Sequence, residues 1–576
     1  MESQGVIEKQ VAMDYAAIWS DHIRGAVKEF LKTAVVIDNQ PWVRERETAT
    51  IDQIDLPTDN GLDSGFLAVE ATVAPVDTEV DQLHDLDLRA ISDKFASNGV
   101  ACAFVLPDDE DSQQDQKIAR AVAAAKVSDL VVIDWYLKKK DSSLTLSILQ
   151  QIAESDSAEN GRLRLICVYT GEPLGDSIFK DIKEYLRIGG VSVLDVEGKD
   201  FCAYGDNTLV VLKNKRLTSA SQLPLDLIDL FSFFADGLIP AFSLAAVGAV
   251  RKNAHHILTR FGSNLDSAYI ANRIITNPPG DVSEMLRDLF VSECDSAIGL
   301  ESVAERYLES EPIIKWINAK ERAISVQRVG GDVVLDKSLL LSILAGGVRD
   351  HKAFNGAPND IRFPEKSRHL ISTALAGGPD SSKSSEHEFA RLVVLKREAH
   401  GRSKPCSAVG WCPSLTTGTI IKYVLRSAGT DNQGQAISEE FEYLICLTPA
   451  CDTLRLEEKT PFVFLKINID LEKYGIVLKD SEGQDIFLRI DQKSPVIRTF
   501  FFVPDNSLKR VLASSDQDGS GKYEFQDLEG QKFSWLGEVR YTRAASEMAG
   551  LLRNWMRIGV SDSEYLRLIS EGRFSF

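Results

Sequence analysis

At 576 residues and 63.6 kDa the chain exceeds what one hydrophobic core holds, so two to four domains are expected. Hydrophobic residues at 44% and charged residues at 26% fit a folded chain. A formal charge of −20 argues against a general nucleic-acid or anionic-membrane surface, a local basic patch excepted.

Residues 1–11 are mostly polar and do not read as a secretory leader, and residues 12–30 carry apolar side chains at helical spacing. A strand follows at 33–38, ending in Asp38. Residues 43–80 hold Pro57, Asp59-Asn60-Gly61 and Pro75 with weak periodicity and read as an insertion. A helix is predicted over about 81–96, a strand over 100–106 and an alanine-rich helix over 114–126. The run LVVIDWYL at 130–137 is a buried strand that presents Asp134 at its end. A helix at about 143–154, a strand at 163–169, a helix at 176–187 stopped by Gly189-Gly190, and a strand at 208–213 complete the series. Alternating strands and helices imply βαβ units on an open parallel sheet, with active groups at the carboxyl ends of the strands. Those ends offer Asp38, Asp134, Thr170 and Lys213.

Residues 221–330 read as a helical module, with long apolar faces at 223–234 and 240–260 and a break at Asn277-Pro278-Pro279-Gly280-Asp281 before a helix at 282–307. The most apolar run, 238–250, is shorter than the ~20 residues that span a bilayer and reads as a core helix, so no membrane is expected. Residues 331–576 are mixed, α+β or β-rich. Turns are expected at Gly346-Gly347 and 377–385, strands at 391–395, 443–447, 462–467 and 499–503, and helices at 543–557 and 562–571.

The four strand-end residues suit phosphoryl transfer to a carboxylate. Asp134 is a poor nucleophile unless charge on the phosphoryl oxygens is neutralised, which a hard cation does best. Mg²⁺ takes oxygen ligands in near-octahedral order. Asp134 would be nucleophile and ligand, Asp38 a second ligand, and the backbone carbonyl of Tyr136 a third. Lys213 would pair with phosphoryl oxygens and Thr170 would donate its hydroxyl to them. Against this, a lone aspartate after a strand is usually a turn residue, and Lys213, followed by Asn214, Lys215 and Arg216, is open to a solvated reading.

Other constellations carry less. His255 or His256, in a helix, would suit phosphotransfer, but a capping, interface or core role is the simpler reading. His400, Cys406, Cys412, Cys446 and Cys451 lack the tight hooks of structural zinc. The eight scattered cysteines do not suggest a disulfide framework, and a cytoplasmic location is expected.

Residues 33–216 resemble a receiver domain of two-component signalling, a flavodoxin/CheY-like doubly wound sheet, through VVIDNQP at 35–41, LVVIDWYL at 130–137, VYTGEP at 168–173 and VLK at 211–213. The resemblance implies Asp134 as phosphoacceptor, Asp38 in the Mg²⁺ pocket, Thr170 as switch residue and Lys213 as the family lysine. Asn39 stands where receivers usually carry a second acid, and Asn214 where they usually carry proline. More narrowly, RKNAHHIL at 251–258, ICLTPACDTLR at 445–455 and RIGVSDSEYLR at 557–567 resemble the large receiver proteins of bacterial anti-phage defence of the Detocs type, specifically the companion that buffers phosphate. That implies a sensor histidine kinase as donor, a sister receiver-effector protein and no enzymatic activity beyond self-phosphorylation and autodephosphorylation. A homodimer through 221–330 is a further expectation. The alternatives are a phosphorylation-controlled transcriptional regulator or a signalling scaffold.

Overall fold

The computed structural model describes residues 2–39, 41–42, 86–107, 114–138, 140–159, 161–276, 280–330, 333–344, 347–348, 367–401, 411–426, 429–430, 436–437, 440–515 and 522–555. The expected insertion at 43–80, most of the break at 277–281, Cys406 and the terminal helix at 562–571 lie outside them. The chain divides into two compact units, Met1–Glu321 and Arg322–Phe576.

The first unit is built on a seven-stranded sheet. Its strands are β1 (Thr33–Ile37), β2 (Ala101–Val105), β3 (Leu130–Asp134), β4 (Arg164–Thr170), β5 (Leu194–Asp195), β6 (Cys202–Gly205) and β7 (Thr208–Asn214), in the order β2-β1-β3-β4-β7-β6-β5. The first five positions are parallel, as expected. The sheet as a whole is mixed, because β5 and β6 form an antiparallel hairpin that covers the outer edge of β7. The sequence reading missed that hairpin, which is too short and too exposed at Leu194 to announce itself by apolar alternation. β3 and β4 are buried along their whole length, which is why they read as unbroken apolar runs.

Two cores cover the two faces. Val35, Ile37, Val131, Ile133, Val168 and Leu212 pack against α3 (Gln114–Lys126), α4 (Ser143–Ala158) and α5 (Asp176–Ile188). Ala34, Val36, Val132, Cys167, Tyr169 and Val211 pack on the other side. There they meet α1 (Glu2–Phe30), α2 (Leu88–Ser97), α6 (Leu223–Ala235) and α7 (Leu238–Lys252). The region expected as a separate helical module thus shares one core with the sheet. Among the described residues no single helix is long and apolar enough to cross a membrane. Helix α7 ends at Asn253, and α8 (Ala254–Arg260), α9 (Asp266–Ile275) and α10 (Gly280–Leu300) follow. Two shorter helices, Val303–Tyr307 and Ser310–Ala319, close the unit.

The second unit is β-rich. Its main sheet holds ten strands, with Thr419–Arg426, Glu440–Cys446 and Thr460–Ile469 paired antiparallel at its centre and Lys532–Val539 beside them. Two apolar cores lie against it, one aliphatic around Ile445, Leu465 and Leu478, the other aromatic around Phe462, Phe464, Phe502 and Phe533. Two sequence expectations are corrected here. The turn placed at 377–385 is confined to Gly377-Gly378, where Gly377 has a φ of +80°, and a helix starts at Pro379. That helix runs to Val394, so the strand expected at 391–395 starts only at Leu395. Pro379 at the first helical position explains the start, since its missing N–H has no partner there anyway.

Candidate phosphoacceptor site

The carboxyl ends of β1 and β3 are adjacent, and the chain turns in opposite directions from them, to β2 on one side and β4 on the other. That reversal of strand order opens a crevice at the strand ends. Asp38 and Asp134 sit there, 2% and 4% exposed. Asp38 follows β1, and its backbone N–H donates to Val105 O at 3.3 Å, across to β2. Asp134 is the last residue of β3. Its Oδ2 accepts from the backbone N–H of Tyr136 at 3.0 Å, and its carbonyl accepts from the Thr145 hydroxyl at 2.9 Å. The buried Thr145, near the start of α4, thereby fixes the acid's backbone from below.

The lysine at these carboxylates is Lys215. Its Nζ lies 2.9 Å from Asp38 Oδ2 and 2.9 Å from Asp134 Oδ1, and its side chain is 5% exposed. Lys213 is elsewhere: its Nζ is 3.6 Å from Asp226 Oδ2 of α6, under the sheet. Strand alternation explains the difference. Residues 209, 211 and 213 share the face that packs on α6, so Lys213 cannot point over the rim. Asn214 ends the strand and its side-chain oxygen accepts from the N–H groups of Arg216 and Leu217 at 2.8 and 3.3 Å. This turn folds Lys215 back over the sheet's edge. Its own N–H donates to Thr170 O at 2.8 Å, and Asn214 Nδ2 donates to Glu172 O at 2.5 Å.

Burial alone would push the Lys215 ammonium down, but the carboxylates of Asp38 and Asp134 outweigh it and hold the group above the ordinary lysine value. The lysine therefore stays charged, and the three side chains sum to one negative charge.

Thr170 is buried at the end of β4, with its Oγ1 accepting from Glu172 N–H at 3.0 Å. Tyr169, beside it, faces the opposite core and donates its hydroxyl to Thr218 O at 2.6 Å. Burial pushes the Tyr169 phenol up, so it holds its proton as a donor.

The Mg²⁺ expected from the sequence would find oxygen donors in Asp38, Asp134, Asn39 and the Tyr136 carbonyl. Asn39 Oδ1 is a buried oxygen with no hydrogen-bond partner among the described residues, as an amide oxygen reserved for a cation would be. Oxygen-only donors with a net negative charge fit a hard cation. Among the described residues no group of three or more His, Cys, Asp or Glu could hold a metal, so the amide and carbonyl oxygens would have to complete the set.

The other sequence candidates belong to other elements. His255 and His256 are exposed on α8, their rings 3.8 Å apart. In the second unit Cys446 is buried in a central strand and Cys451 is exposed.

Residues 30–220 match the family model described as the response receiver domain. No curated protein and no solved structure matches the chain. Strand order, the two rim aspartates with a lysine between them and this match agree: residues 30–220 form a response receiver domain.

Proposed function

We propose that Asp134 accepts a phosphoryl group from the phosphohistidine of a sensor kinase. An Asp134 carboxylate oxygen attacks phosphorus, a P–O bond forms, the P–N bond breaks, and the electron pair returns to the imidazole. A bound Mg²⁺ would neutralise charge on the phosphoryl oxygens. Lys215 is close enough to exchange part of its double ion pair for a phosphoryl oxygen. Thr170 would turn its hydroxyl from the Glu172 N–H toward the new group. The observation that carries this reading is the buried trio Asp38, Asp134 and Lys215 at the rim of the sheet.

At the system level we read the chain as the phosphate-buffering companion in an anti-phage defence system of the Detocs type, in the cytoplasm, drawing phosphoryl groups from the kinase before a sister receiver-effector fires. The sequence pieces at 251–258, 445–455 and 557–567 support this. Incubation of the full chain with a radiolabelled phosphohistidine donor and Mg²⁺ tests the first step. Wild-type protein takes acid-stable, base-labile label and Asp134→Ala takes none; full labelling of the variant would refute the assignment. Co-incubation with a phosphorylated kinase and a second receiver tests the buffer role, since a sink lowers label on the competitor.

A further inference from the structure

Thr170 and Asn214, the last residues of β4 and β7, stand opposite each other in the parallel register, and both are buried. Side chains alternate along a strand, so Thr170 falls in step with Ile166 and Val168, and Asn214 with Val210 and Leu212. Both residues therefore lie on one face of the sheet, and Lys213 on the other. A buried carboxamide needs partners at both ends. The Asn214 oxygen accepts from the N–H groups of Arg216 and Leu217, which closes the turn that carries Lys215. Its nitrogen donates to Glu172 O, two residues beyond Thr170. The Lys215 N–H adds a second tie, to Thr170 O, and the Glu172 N–H donates to the Thr170 hydroxyl. Aspartate at 214 could close the turn but would set its second oxygen against the Glu172 carbonyl, and leucine, of similar size, would do neither.

We propose that Asn214 is the positioning residue of the phosphoryl-transfer site. Its carboxamide holds the Lys215 ammonium over Asp38 and Asp134 and ties the lysine's turn to the loop that begins at Thr170. This rests on the reading of Asp134 as phosphoacceptor. The carboxamide bonds to backbone groups alone, so Asn214 acts through the lysine and not on phosphorus. A lysine stem is flexible, and the reach of its ammonium is set by where the turn holds its Cα. With both ties in place, the lysine and the threonine hydroxyl meet an incoming phosphoryl group as one unit, with little left to organise when the P–O bond forms.

Label uptake by the full chain from the radiolabelled phosphohistidine donor with Mg²⁺ tests it, in a cycle with Lys215. Asn214→Ala lowers the maximal rate about 10-fold, as for loss of a buried hydrogen bond, and leaves the half-saturating donor concentration unchanged. In the Lys215→Ala background the same change slows labelling no further, because no ammonium is left to position. Asn214→Asp keeps the turn's acceptor and loses the donor to Glu172. Its rate falls between those of Asn214→Ala and the wild type, and it carries the cycle if the alanine variant does not fold. A full 10-fold loss on top of Lys215→Ala overturns the proposal, as does a wild-type rate in either variant. Absence of label on the wild-type chain overturns the phosphoacceptor reading itself, and the role of Asn214 with it, so the two failures have different signatures.

Discussion

Lys215 and Asp134 are joined at 2.9 Å across the end of β4, a strand that belongs to neither of them. The lysine leaves β7, bonds Thr170 O through its own backbone, and reaches past β4 to acids at the ends of β3 and β1. One residue, through its side chain and its backbone N–H, thus ties three strand ends to the loop entering α6.

Lysines 213 and 215 should therefore separate cleanly. Lys215→Ala removes the cation that would face the phosphoryl oxygens, and the rate of label uptake on Asp134 should fall on the order of 100-fold, as for loss of one oxyanion donor. Lys213→Ala breaks only the half-exposed contact with Asp226 and should label at close to the wild-type rate. Equal loss in both variants would place the catalytic lysine wrongly.

Metal affinity should respond to residue 39. Asn39→Asp turns the amide oxygen into a carboxylate and takes the net charge at the rim from one negative to two. Titration calorimetry with Mg²⁺ should then show binding about tenfold tighter, equivalent to roughly 1.4 kcal/mol. No change would mean that residue 39 does not contact the ion.

The helices on the far face of the sheet depend on one close approach. A Cβ on Gly248 of α7 would stand 2.6 Å from Glu29 O of α1, which is backbone and cannot turn aside. Glycine within a helix costs about 1 kcal/mol relative to alanine, so its place here reflects the crossing. Gly248→Val should destabilise the first unit by roughly 1–3 kcal/mol in urea unfolding. Unchanged stability would mean that α1 and α7 separate at little cost.

The parallel core was readable because β1, β3 and β4 are buried on both faces and their apolar runs are unbroken. Asp38 and Asp134 were readable for the same reason, each being the first polar residue after such a run. Lys215 was not. Its position depends on the Asn214 turn, and the run Asn-Lys-Arg after a strand looks the same whether it folds back or is solvated. The face alternation of β7 held the clue, since 213 falls in step with the buried 209 and 211. Thr145 was also missed, because a hydroxyl that holds a neighbouring backbone carbonyl leaves no sequence pattern. Nor could spacing show that 221–320 shares the sheet's core, since an apolar helix face does not name what it packs on.

The second unit carries an acid-sensitive cluster. Glu442, almost wholly buried, accepts from the Tyr423 hydroxyl at 2.6 Å and pairs with Lys466 at 3.0 Å and Arg498 at 3.1 Å. Burial would push its carboxyl up, but Tyr423, Lys466 and Arg498 outweigh that and hold it below the ordinary glutamate value of 4.5. The unfolded chain then binds the proton more readily than the folded one. The stabilisation is fully present above the ordinary value and is lost as pH falls through the depressed one. In thermal melts of the full chain, the transition of the second unit should drop as pH falls below the ordinary glutamate value of 4.5. Glu442→Gln, whose side chain does not titrate, should start lower at neutral pH and fall less across that window. Parallel pH curves for the two proteins would show that the acid loss arises at other carboxylates.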